Sequence, residues 1–130
     1  MLQLTYISTV RDAAKVDLGD ILRVSRANNR RDRITGLLHY DGRRFLQALE
    51  GPAALVEAAY ARIRVDPRHF APVVLSQRPI DAREFGNWDM AALEPGDDRD
   101  AFVARITALV ANASPIVRAT FEGRAGLRAA

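Results

Sequence analysis

The chain has 130 residues, 48% of them hydrophobic and 27% charged, the composition of one soluble globular domain. It has no cysteine, which excludes disulfides, thiolate zinc sites and iron–sulfur clusters, and no apolar run of the roughly 18 residues that a membrane span needs. Nineteen basic against sixteen acidic residues leave +3, and every basic residue but Lys15 is arginine, so the charge alone is too small to imply a polyanionic partner. The amino terminus lacks a positive region followed by an apolar one, and a cytoplasmic location is expected.

Leu2, Leu4 and Tyr6 alternate with Gln3, Thr5 and Ile7, predicting a first strand with Tyr6 on its apolar face. Asp17 is the expected N-cap of a helix running to about Asn29. Its apolar stripe of Leu18, Ile21 and Leu22 continues in steps of three and four onto Ser25, Asn28 and Asn29. Residues 34–40 and 43–50 flank Asp41-Gly42, a strong hairpin signal. Gly51-Pro52 ends the second arm and opens a helix with the stripe Leu55, Val56, Ala59 and Ile63, ending near Asp66-Pro67. Val73-Val74-Leu75 predicts a further strand closed by Pro79, and residues 87–93 a last one with Trp88 and Met90 on one face. Pro95-Gly96-Asp97-Asp98 opens a third helix with the stripe Phe102, Ile106, Leu109 and Val110. Ser114-Pro115 starts a short final helix reaching Glu122, and Gly123 stops it.

The order β-α-β-β-α-β, followed by one strand and two helices, predicts an α+β ferredoxin-like sandwich. The expected sheet is mixed and five-stranded, with two helices on one face and a C-terminal helical appendix. Residues 1–95 form the core, 96–123 the appendix and 124–130 a frayed tail. The appendix stripe is expected to cover the sheet's open face, which would otherwise be an exposed apolar patch.

Polar residues gather around the groove between the two core helices. Asn28 and Asn29 close the first helix, Arg62 and Asp66 stand at i, i+4 on the second, and Tyr6 and Gln47 rise from strands beneath. An unpartnered amide in a core costs a few kcal/mol, so these side chains must meet one another, water or a polar guest. A flat heteroaromatic edged with N–H and carbonyl groups suits that set, since Asn both donates and accepts and Arg donates to carbonyls.

With these residues in view, the chain resembles the BLUF family of blue-light sensors using flavin, over about residues 2–93. The likeness rests on Tyr6, on Ser25-Arg26-Ala27-Asn28-Asn29 and on Ile34-Thr35-Gly36-Leu37-Leu38. It continues through Phe45-Leu46-Gln47-Ala48-Leu49-Glu50-Gly51, Asp66-Pro67-Arg68-His69 and Phe85-Gly86-Asn87-Trp88-Asp89-Met90. The resemblance implies non-covalent FAD. It implies that Asn29, Asn28 and Arg62 reach the pyrimidine edge of the flavin, with Asp66 orienting Arg62 and Ser25 and His69 lining the site. It further implies Tyr6 as the redox-active phenol, Gln47 as the carboxamide between Tyr6 and the flavin, and Trp88 and Met90 as reporters on the last strand.

The expectation is therefore a blue-light photoreceptor that is not itself an enzyme and binds no metal. No separate output domain is expected after the appendix, and the signal is expected to pass to an unidentified downstream protein or to a second copy in a homodimer. No membrane partner is expected. Two rivals are weaker. An acylphosphatase-like hydrolase lacks a glycine-rich phosphate cradle around Arg11, and an RNA-binding sheet would have few platform aromatics beyond Phe45. The cluster Arg30-Arg31-Asp32-Arg33 with Arg43-Arg44 reads as a solvated hairpin mouth rather than a nucleic-acid surface.

Overall fold

The computed structural model describes residues 1–40 and 42–85 and, beyond them, positions 98, 100, 101, 104, 107, 111, 115, 118 and 119. The elements are β1 (Leu2–Val10), α1 (Leu18–Arg31), β2 (Thr35–Tyr40), β3 (Arg44–Gly51), α2 (Ala53–Arg64) and β4 (His69–Pro79), with a 3-10 turn at Ala13–Lys15.

Local chemistry accounts for most of the boundaries. Asp17 caps α1 by accepting from the Asp20 amide at 3.0 Å, and the helix runs two residues past Asn29 before Asp32 ends it. The Pro52 carbonyl receives the Leu55 and Val56 amides at 3.0 Å each, starting α2. Between β2 and β3 the chain turns through Gly42, whose φ of +95° lies in the region glycine alone enters cheaply.

The four described strands form one antiparallel sheet in the order β2-β3-β1-β4. Leu2, Leu4 and Tyr6 share a face with Leu38, Phe45, Gln47 and Leu49. Leu22 of α1 and Val56 and Ala59 of α2 complete the core on that face. The result is an α+β fold with both helices on one side, as the sequence pattern requires.

Three expectations need correction or fall elsewhere. The sheet is not mixed among the described residues, where every strand pair is antiparallel. The expected fifth strand, 87–93, lies outside the described residues, with Trp88 and Met90, the division at residue 95 and the tail 124–130. The fourth strand, at 11 residues, is much longer than the two valines and one leucine that predicted it. Pro72 sits where the register with β1 shifts between Ile7 and Thr9, at an irregularity that needs no ladder N–H.

Around the appendix, Asp98 Oδ1 accepts from the amides of Asp100 at 2.9 Å and Ala101 at 3.2 Å. Asp100, Ala101, Ala104 and Thr107 are helical, as are Pro115, Arg118 and Ala119. On the sheet face opposite α1 and α2, Leu37, Leu46 and Ala48 are each 0% exposed, whereas Phe70 and Val73 at the β4 edge are exposed. No helix among the described residues is long and apolar enough to cross a membrane.

Candidate functional site

Between α1 and α2 the core opens into a slot of about 80 Å³. Its floor is Tyr6, Leu38, Phe45 and Gln47 from three adjacent strands. Ile21 and Ser25 of α1 form one wall, and Ile63 of α2 with Asp66, Arg68 and His69 form the other. Sheet register brings Tyr6 and Gln47 together: they are directly paired across β1 and β3, so both side chains leave the sheet on the helix side at the same level.

Tyr6 Oη donates to Gln47 Oε1. Both side chains are buried. Burial pushes the Tyr6 phenol well above its ordinary pKa, and the charges of Tyr60 and Asp66 push the same way. The phenol is therefore neutral and protonated at physiological pH. The Tyr60 ring stands 5.3 Å from Tyr6, tilted by 53°, and the His69 ring 6.5 Å away.

His69 Nε2 meets the backbone carbonyl of Ile63. A carbonyl only accepts, so Nε2 carries a proton, and in the neutral imidazole Nδ1 is then an acceptor. That Nδ1 is buried and has no partner among the described residues. A buried acceptor without a donor is what a slot built for a ligand N–H or O–H presents.

The asparagines lie in the last turns of α1. Asn29 is buried and Asn28 half-buried, a turn beyond the wall residue Ser25. The ion pairs differ from expectation. Asp66 does not hold Arg62; it holds Arg68 at 2.6 Å, and Arg62 donates to Asp32 Oδ2 at 3.3 Å. The reason is that α2 ends at Arg64, so Asp66 lies past the helix and the i, i+4 geometry never forms. The Arg68 guanidinium holds the Asp66 carboxyl below its usual range, and Arg31, seconded by Arg62, does the same for Asp32.

A second cavity of about 300 Å³ shares Ile21, Phe45 and Arg68 with the slot. Val16 and Pro67 add apolar wall, and Arg11 and Lys15 add positive charge beside Asp12. Sequence reasoning missed this annex, whose cations come from the β1–α1 and α2–β4 connections. It also missed Asp32 as the partner of Arg62 and Arg68 as a wall residue. The adjacency of Arg68 to His69 was the available signal for the latter.

The family described as "BLUF: Sensors of blue-light using FAD" matches residues 1–91. The photoactivated adenylate cyclase subunit alpha of Euglena gracilis is 40% identical over 88 residues, 67% of this chain and 9% of that protein. The blue light- and temperature-regulated antirepressor BluF of Escherichia coli K12 is 35% identical over 88 residues, 67% of this chain and 22% of that protein. This chain thus spans under a quarter of either relative's length. The dark-state structure of BlrB, a BLUF protein, superposes with a TM-score of 0.68 at 34% identity, covering 98% of this chain and 89% of that one.

Proposed function

The chain belongs to the BLUF family, sensors of blue light using FAD, and from that premise we propose that the slot between α1 and α2 seats the flavin ring system with Tyr6 and Gln47 as its light-responsive pair. The carrying observation is the buried hydrogen bond from Tyr6 Oη to Gln47 Oε1 on the slot floor. The lining suits the group: apolar Ile21, Leu38 and Ile63 for the ring faces, and carboxamide, hydroxyl, carboxylate and imidazole groups for its polar edge. The unpartnered His69 Nδ1 supports the same fit.

When bound, the flavin supplies light absorption and an excited state that accepts an electron. Tyr6 is the donor, since a phenol is among the few side chains oxidised readily enough, and its electron and Oη proton leave together because burial disfavours every charged form. Among the described residues Gln47 is the only carboxamide lining the slot, presenting an acceptor oxygen toward Tyr6 and an NH₂ group besides. Gln47 would meet the flavin's polar edge with its carboxamide, and a rearrangement of that carboxamide after excitation would change the hydrogen bond it offers there. Ser25, Asn28, Asn29, Arg62 and Asp66 act in holding the ring's polar edge, and His69 in closing the slot. The cationic, apolar-walled annex lined by Arg11, Lys15 and Arg68 takes the remainder of the dinucleotide.

The output in this reading runs from Gln47 along β3 to the segment carrying Trp88 and Met90, and then to the C-terminal helices and a separate protein or a second copy of the chain. Tyr6→Phe tests the assignment: it is expected to keep FAD bound while abolishing the light-induced red shift of the flavin band. A shift of wild-type size in that variant removes Tyr6 from its role.

A further inference from the structure

On the sheet face opposite the slot, the glutamate three residues beyond Gln47 on β3 is fully buried. Glu50 is 0% exposed, and four donors converge on its two carboxylate oxygens. Oε1 accepts from Thr35 Oγ1 at 3.1 Å and the Phe85 amide at 2.8 Å, and Oε2 from Gln3 Nε2 at 3.2 Å and the Glu84 amide at 2.9 Å. Arg83 adds a second tie. Its Nη1 donates to the Glu50 carbonyl at 2.9 Å and to Thr35 Oγ1 at 2.8 Å, and its Nη2 to the Arg33 carbonyl at 2.6 Å.

Burying a carboxylate is costly unless donors replace its hydration, and here two of the four are backbone amides of a segment more than 30 residues away in sequence. A glutamate needed only to fill a strand position would be replaced by an apolar residue such as the neighbouring Leu46 and Ala48, which are equally buried on this face. What Glu50 achieves that leucine cannot is directional: it fixes where residues 84 and 85 meet β3. Those residues immediately precede the segment that carries Trp88 and Met90.

We propose that Glu50, seconded by Arg83, is a positioning residue that latches residues 83–85 to β3 and relays displacement of β3 at Gln47 into the segment that follows Phe85. This rests on the reading of Gln47 given above, and it adds the physical link between the photoactive strand and the output. The network has two oxygens and four donors, so a shift of β3 changes the bonds to Thr35 and Gln3 on its strand neighbours and to the Glu84 and Phe85 amides at once.

The test is hydrogen–deuterium exchange of the full FAD-loaded chain in darkness and under blue light, read in a peptide covering residues 80–90, with the flavin red shift recorded on the same samples. In the wild type, light is expected to change exchange there severalfold. Glu50→Gln puts an NH₂ group among donors, and Arg83→Ala removes the second tie without leaving a charge in the core. Each variant is expected to keep the red shift and to lose the light–dark difference in exchange. The latch is overturned if either variant keeps both the red shift and the wild-type difference, if the wild type shows a red shift with no exchange difference, or if both variants lose FAD, which would make the network part of the fold alone. Absence of a red shift in the wild type is a separate result, and it removes the Gln47 reading itself along with the relay.

Discussion

The hydrogen bond between Tyr6 and Gln47 makes a quantitative prediction about the protein without light. Tyr6 is 3% exposed and Gln47 4% exposed, so neither group reaches water if its partner is removed. Tyr6→Phe keeps the ring against Tyr60 but strips Gln47 Oε1 of its donor. Gln47→Leu conserves volume but strands the phenol. Each single change removes the buried hydrogen bond that joins the pair, at about 1–3 kcal/mol. The double substitution replaces both partners by apolar groups of similar shape and should cost little more than either single change. The coupling in a double-mutant cycle is then about 1–3 kcal/mol, where independent sites couple by less than roughly 0.5 kcal/mol. For a domain of this length each kcal/mol moves the melting temperature by about 3–5 °C. Thermal or urea unfolding of the flavin-free protein in darkness reads the four stabilities. Additive effects would refute the claim that the phenol and carboxamide depend on each other, and with it the basis of the proposed switch.

Gly51→Ala should destabilise by about 1–3 kcal/mol, because a Cβ there would stand 2.7 Å from the Arg33 carbonyl oxygen, and both groups are backbone; an unchanged melting temperature would show that the β3 end is not held as described. The Asp66 and Asp32 carboxyls are depressed in the folded state, so their stabilisation is present above the ordinary carboxylate range and is lost as pH falls through about 4 and below. A melting temperature that rises on acidification through that window would contradict both pairs. The Tyr6 phenol is raised, so its contribution is complete below its ordinary value and stability should fall as pH climbs above about 10, read as alkaline unfolding that Tyr6→Phe removes. Arg62→Ala should change the melting temperature little, since the side chain is 51% exposed, yet weaken FAD binding about tenfold by removing a charge-assisted hydrogen bond. Wild-type affinity in a fluorescence titration would take Arg62 out of the site.

Local chemistry made much of this fold readable. Asp17, Pro52 and the Asp41-Gly42 turn mark element ends by short-range rules, and the alternation of Leu2, Leu4 and Tyr6 gives the side of the sheet on which the phenol lies. From there, finding Gln47 beside Tyr6 needs only strand pairing. What stayed hidden depends on contacts that no periodicity encodes. The partner of Arg62 turned on where α2 stops, two residues before Asp66, and helical spacing then misleads. The length of β4 was concealed by Pro72, which only an irregularity in the ladder makes tolerable. Glu50 was visible as a charge in an apolar strand, but its donors arrive from Gln3, Thr35 and residues 84–85, and only the folded chain brings those together. The annex beside the slot was missed likewise, because Arg11 and Lys15 come from one connection and Arg68 from another far away in sequence.

The central claim, that Tyr6 and Gln47 convert absorbed blue light into a changed hydrogen bond at a flavin edge, is tested most directly by a light-minus-dark absorption spectrum of the FAD-loaded chain and of Gln47→Leu. The expected result is a small red shift of the flavin band in the wild type that reverses in darkness, and no shift in the variant although its flavin remains bound. A shift of equal size in both proteins would contradict it.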